Sequence, residues 1–331
     1  MDMKGTIAAI KVAIGKSAAE RTSKEVISAA YAVVHLIGGV LLASARLLGS
    51  AGPFGMAAVA ASGAGINGVG CLIGAAIGYI ISSGLAGSIR YLAAIVLVYT
   101  ISFAFQDTKL AKKSVFAPSV AAIAALLTGI LSSFTSVFTQ APAAAVILVE
   151  TVFSFGGCWF FREALSDAER TTEAEELRYA GSVLITAAVL LMAMSQIELF
   201  AAISLGRLLA LLIVMTCTLR CGIMTGCTIG TAFGIAMDLT AGGMPFYTMA
   251  YAFAGLLSGM FNRRGRLLFI LAFIVANAAA VACAWSFQTE INSLFEVFAA
   301  SVIFMLLPSG FLNRAGSMVQ PVIGGDRKSV V

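Results

Sequence analysis

The chain has 331 residues, 60% of them hydrophobic and 11% charged, with a formal net charge of +5 and a mean hydropathy of +0.98. Soluble domains carry about 25% charged residues, so this composition excludes a water-exposed globule and assigns the chain to a bilayer. Its apolar runs are continuous rather than alternating, which also excludes a transmembrane β-barrel.

Residues 1–25 set Ile7, Ile10 and Ile14 at helical spacing among Lys4, Lys11 and Lys16. The pattern lacks the unbroken apolar core of a signal peptide. It reads as a basic amphipathic helix on the inner leaflet, with a solvated cationic tail as the plain alternative. Residues 26–308 follow as a polytopic membrane domain. Crossing about 30 Å of hydrocarbon takes about 20 apolar residues, and candidate runs lie near 26–45, 52–64, 67–83, 90–105, 116–137, 142–161, 179–195, 202–219, 222–238, 245–261, 267–286 and 293–307. The expected fold is all-α: a membrane helix bundle of about ten transmembrane helices, twelve at most, because 52–64 and 293–307 are short for a crossing.

One polar stretch interrupts the membrane region at length, Phe161 to Tyr179, "FREALSDAERTTEAEELRY". Its centre, 162–178, is expected to be an acidic cytoplasmic loop between two halves, carrying a short exposed helix of its own. A solvated face is the plain reading and a docking surface the sharper one. Residues 309–331 form a cytoplasmic tail. Of the 21 Lys and Arg, 18 fall on one side if every run crosses, and only Arg46, Arg90 and Arg207 fall elsewhere. Basic residues stay on the cytoplasmic side of short loops, so both termini are expected in the cytoplasm.

"GCLIGAAIGYI", Gly70 to Ile80, and "GCTIGTAFGIA", Gly226 to Ala236, match at six of eleven positions with an offset of 156 residues, and Tyr91 falls on Tyr247 at the same offset. An even number of crossings separates the two stretches, as in a parallel internal repeat; in a chain this rich in glycine and alanine, coincidence also accounts for the match. Glycine at every fourth position lets membrane helices approach closely. Gly70, Gly74 and Gly78 make one such groove, Gly222, Gly226, Gly230 and Gly234 a longer one, and Gly255 with Gly259 a third.

Ionisable groups at mid-membrane cost about 2.5–3.5 kcal/mol on insertion scales, so each demands a role. His35, Glu150, Arg207 and Glu296 fall inside apolar runs, as does the polar Asn277. In a transporter, Glu150 and His35 would relay protons and Arg207 would hold an anionic substrate. In a structural reading, Glu150 or Glu296 pairs with Arg207 or Arg46, and Asn277 bonds across to a neighbouring helix. The six cysteines lie in apolar runs without a CxxC pair, as small buried hydrophobes do. No phosphate-binding glycine loop, HExxH or nucleophile elbow is present, and no metal or cofactor is expected in this chain.

Three stretches carry a family resemblance: "GGVLLASARLLGSAGPFGMAAVAA" (Gly38 to Ala61), "NRRGRLLFILAFIVANA" (Asn262 to Ala278) and "LFEVFAASVIFMLLPSGFLNR" (Leu294 to Arg314). With the basic start, they resemble the N-terminal membrane region of stage II sporulation protein E, a bacterial sporulation phosphatase. The resemblance implies a multi-pass anchor in the bacterial cell membrane, joined in the family to a manganese- or magnesium-dependent serine phosphatase that releases the forespore sigma factor. It further implies placement at the division septum beside cell-division proteins. The other partners expected of such a helix-packing membrane domain are the bilayer and further copies of the chain, and no nucleic acid. The phosphatase portion is not in this sequence, so no catalytic residue is carried over and no enzyme activity is expected of this chain. Two functions therefore compete: an anchoring and oligomerising membrane domain, and a small secondary transporter of two parallel halves.

Overall fold

A computed structural model describes residues 29–134, 144–166, 170–199, 203–242, 245–284, 289–310 and 312–314. The basic segment 1–25 and most of the tail lie outside the described residues. The described chain is helical almost throughout, as the apolar runs require: in lipid, a helix satisfies its own backbone donors and acceptors. The helices are α1 (Ala29–Ser44), α2 (Phe54–Ser62), α3 (Ile66–Phe105), α4 (Phe116–Phe134), α5 (Ala144–Ala164) and α6 (Glu173–Met194). There follow α7 (Leu205–Cys221), α8 (Ile223–Ala241), α9 (Phe246–Gly259), α10 (Arg266–Cys283) and α11 (Thr289–Leu306). Among the described residues, six helices are long and apolar enough to cross a membrane: α3, α4, α5, α6, α8 and α10.

α3 contributes more than its single name suggests. Gly84 breaks it with φ +67° and ψ 171°, a combination open essentially to glycine alone. Past that point the chain doubles back. The rings of Tyr79 and Tyr91 stack with centroids 4.7 Å apart, and Tyr99 Oη donates to Ala64 O at 3.1 Å. A straight helix at 1.5 Å per residue would hold those last two residues about 50 Å apart. Residues 66–83 and 85–105 are thus two antiparallel arms, matching the separate runs expected at 67–83 and 90–105.

α2 is the short run. It has nine residues, and Phe54, Met56, Ala57, Ala58, Val59 and Ala60 are all buried, so it is a half-length helix enclosed by protein. The polar stretch 161–179 corrects an expectation, since its described residues form no helix of their own. Its start is the end of α5, and its last residues are the first turns of α6, which start from a capping box between Thr172 and Glu175. The helices are interrupted by one short pairing of two residues each, β1 (Glu198–Leu199) antiparallel to β2 (Ile203–Ser204).

The order of elements runs in step through the two halves. α1, a turn pinned by a bridge between Leu47 and Ala51, and α2 precede the two arms of α3, then α4 and α5. α6, the turn built on β1 and β2, and α7 precede α8, α9, α10 and α11. The packing runs in step as well. α2 lies on α3 and α5 where α7 lies on α8 and α11, and α4 lies on α5 where α10 lies on α11. Between the halves, α5 packs on α6, and Leu48 N–H donates to Leu239 O at 2.8 Å.

Candidate functional site: two buried arginine–carboxylate clusters

Each half encloses one carboxylate from its last helix. Glu150, in the second turn of α5, is fully buried. Arg90 Nη2 lies 2.6 Å from both of its oxygens, Tyr91 Oη donates to Oε1 at 2.6 Å, and Gly52 N–H donates to Oε1 at 3.3 Å. Gly52 immediately precedes Pro53 at the start of α2, so the half-length helix directs a backbone donor at the acid. Tyr79 braces this entry, donating to Gly52 O at 2.6 Å and accepting from Met56 N–H at 3.2 Å. Arg46 completes the cluster. Its guanidinium lies 5.7 and 5.3 Å from the ring centroids of Tyr79 and Tyr91 and donates to Ser82 Oγ at 2.6 Å and to Ser83 Oγ.

Glu296, on α11, is almost as deeply buried. Arg207 Nε stands 2.9 Å from its Oε1 as an ion pair, at an angle that is not a hydrogen bond, and Ser204 N–H donates to the same oxygen at 3.0 Å. Ser204 is the N-cap of α7, so again the second helix of the half offers a backbone donor. Arg207 Nη1 donates to Tyr247 Oη at 2.5 Å. Asp238, in the last turn of α8, accepts from Tyr247 N–H and Thr248 N–H at 2.8 Å each and thereby caps α9. Glu296 Oε2 and Tyr251 Oη are buried without a partner.

These pairs place the three arginines that break the positive-inside pattern. Arg46, Arg90 and Arg207 are the guanidinium groups of the two clusters, set within about two turns of helix ends joined by 45–53, Gly84, 195–204 and 242–245. Glu150 pairs with Arg90, not with Arg46 or Arg207 as the structural reading offered. Glu296 pairs with Arg207, within that reading. Tyr79, Tyr91, Tyr247, Tyr251 and Asp238 carry no motif in the sequence that marks them as site residues. The one signal for any of them was the offset that lays Tyr91 on Tyr247.

The remaining candidates stand apart. His35 is part of α1, its Nδ1 2.8 Å from Tyr31 O on an exposed face, and it contacts neither carboxylate among the interactions of the described residues. Asn277 is buried, but its amide donates to Phe273 O of its own helix at 3.0 Å rather than across to a neighbour. The glycines sit against backbone. A methyl group on Gly70 would come 2.7 Å from Ala32 O, and one on Gly74 or Gly78 would run into Leu36 O or Val40 O. The three contacts advance together, so α1 and the first arm of α3 are parallel.

In the second ladder the partners differ. Gly230 and Gly234 face Tyr251 O and Tyr247 O of α9, Gly255 faces Gly226 O, Gly259 faces Ile223, and Gly226 faces the Thr218 side chain. Gly222 is not a rung: at φ +94° it is the break between α7 and α8. The described residues hold no group of three or more His, Cys, Asp or Glu suited to a metal ion. What the clusters can do is hold helices in register, because each acid is locked by a guanidinium and a backbone donor.

No curated protein and no solved structure matches the chain. A family model, SpoIIE, N-terminal domain, matches residues 2–315. This membrane protein of apolar helices, with two buried arginine–carboxylate pairs, belongs to the SpoIIE N-terminal domain family.

Proposed function

We propose that the chain is the anchoring and self-associating membrane domain of a SpoIIE-like phosphatase, holding that enzyme at the sporulation septum where the forespore sigma factor is activated. The family match over residues 2–315 carries this reading. The ion pairs support it, because an acid gripped by an arginine serves packing better than proton movement. The domain organisation is a basic amphipathic segment at 1–25, a membrane domain at 26–308 with the 162–178 loop inside the cell, and a cytoplasmic tail at 309–331. Both termini are cytoplasmic. The membrane domain makes about ten to twelve crossings as two parallel repeats, the matched element order of the halves being the support for duplication. Partners are the bilayer, further copies of the chain and septal division proteins. Manganese or magnesium belongs to the family's phosphatase domain alone.

The test follows the fluorescently tagged protein in sporulating cells. Gly74→Leu and Gly230→Leu, which force apart α1 from α3 and α8 from α9, are expected to disperse the septal signal. Septal placement of both variants at wild-type level would overturn the reading. The matched halves also favour a transporter of parallel repeats; that reading requires solute flux from reconstituted protein, lost in Glu150→Gln.

A further inference from the structure

Between the second arm of α3 and the start of α4 the chain passes through 106–115, and this connection is wound tightly. Thr108 N–H donates to Phe105 O at 2.9 Å, Lys113 N–H to Leu110 O at 3.1 Å and Phe116 N–H to Lys113 O at 3.2 Å. Thr108 Oγ1 accepts from Ala111 N–H at 3.4 Å. Lys109, Lys112 and Lys113 are all exposed on this winding, so three ammonium groups share one short turn. Arg162, at the end of α5, brings a fourth cation to the same place, because its Nη1 donates to Ser114 O at 3.1 Å.

Little negative charge answers them. Asp107 is the one acid in 106–115. Glu163, next to Arg162, is engaged by Arg178 at 3.0 Å, and among the described residues no ion pair joins a carboxylate to any of the four cations. The same turn exposes aliphatic surface: Leu110 is 50% exposed and Val115 47%. Both side chains are interleaved with the lysines. Cations and exposed aliphatic groups on one turn suit a membrane interface, where apolar groups enter the acyl boundary and lysine stems carry their charge out to the headgroups.

The position agrees with that composition. α3 and α4, which the turn joins, are both long and apolar enough to cross a membrane, so the turn lies where hydrocarbon gives way to phosphate. An acidic protein would meet the charge and leave Leu110 and Val115 in water. An anionic leaflet meets both.

We propose that the 106–115 turn, with Arg162, docks on the headgroups of anionic phospholipids, the four cations holding the phosphates while Leu110 and Val115 enter the acyl boundary. The proposal rests on the reading of the second arm of α3 and α4 as membrane spans.

The experiment uses the full chain with a polarity-sensitive fluorescent amino acid in place of Leu110, reconstituted in vesicles of phosphatidylcholine alone or of equimolar phosphatidylcholine and phosphatidylglycerol. Phosphatidylglycerol is expected to shift the emission to the blue, and high salt to reverse the shift. A lysine near an anionic surface is worth about fivefold in partition. The triple variant Lys109→Gln, Lys112→Gln, Lys113→Gln is therefore expected to need at least about fivefold more phosphatidylglycerol for half of the shift. Equal emission in the two lipid mixtures, or a triple variant that responds as the parent does, overturns the proposal. So does a blue shift given by soluble polyglutamate and not by phosphatidylglycerol, which would make an acidic polypeptide the occupant. If the triple variant folds poorly, Lys112→Gln with Lys113→Gln is judged by the same outcomes. A second probe, in place of the exposed Ile123 of α4, tests the spans with lipids brominated along their tails. Quenching there without a lipid response at Leu110 overturns the docking surface alone, and no quenching overturns the spans and the docking surface with them.

Discussion

Glu150 shows what a single buried charge demands of its neighbours. Two bonds from Arg90, one from Tyr91 and one from the Gly52 amide converge on it, because an unpaired carboxylate in a medium of low dielectric constant would instead neutralise or draw in water. A pair so made adds little net stability over a well-packed apolar one, yet removing one partner strands the other. Glu150→Gln should therefore destabilise the protein by about 3–5 kcal/mol. The double variant Glu150→Leu with Arg90→Met should recover most of that loss. Unfolding midpoints in detergent, arranged as a double-mutant cycle, measure the coupling; additive losses would show that the two residues act independently. The anomaly of Arg46, Arg90 and Arg207 was legible in the sequence, as charges on the wrong side. Their partners were not, because Arg90 and Glu150 are 60 residues apart and no local pattern joins them.

Helix positions followed closely from hydropathy, since a span is bounded by where apolar residues stop. The gap between the runs 67–83 and 90–105 marked the break that Gly84 makes. Gly84→Ala should cost about 1–3 kcal/mol, the strain of holding a side chain in a glycine-only conformation. The readout is a lower thermal midpoint, together with weakened protection of the Tyr79–Tyr91 stack from amide exchange nearby; an unchanged midpoint would mean the tip relaxes freely. The β1–β2 hairpin escaped sequence reading because two-residue strands carry no period. The glycine ladders were legible as small faces, but their partners diverge. Gly74 meets α1 and Gly230 meets α9, so similar sequence serves different neighbours.

At the scale of the whole molecule, the Arg207 cluster and Arg220 lie at opposite ends of α7. In the orientation proposed, with the basic loops inside the cell, the turn at 45–53 faces outward. A membrane-impermeant thiol reagent should label a cysteine at the exposed Ser50 in intact cells, and one at the exposed Asp107 only after permeabilisation. Labelling in the reverse order would invert the topology.

The amino-acid sequence alone determined that the chain is a helical membrane protein, where its apolar helices lie, and which charges are out of place. Each of these depends on transfer of short segments from water to lipid, a property summed residue by residue. Only the tertiary structure decided which arginine meets which acid, that α2 is enclosed and that α3 folds back on itself. Those outcomes depend on close approach between segments distant along the chain, where shape and hydrogen-bond geometry choose the partner and hydropathy is silent.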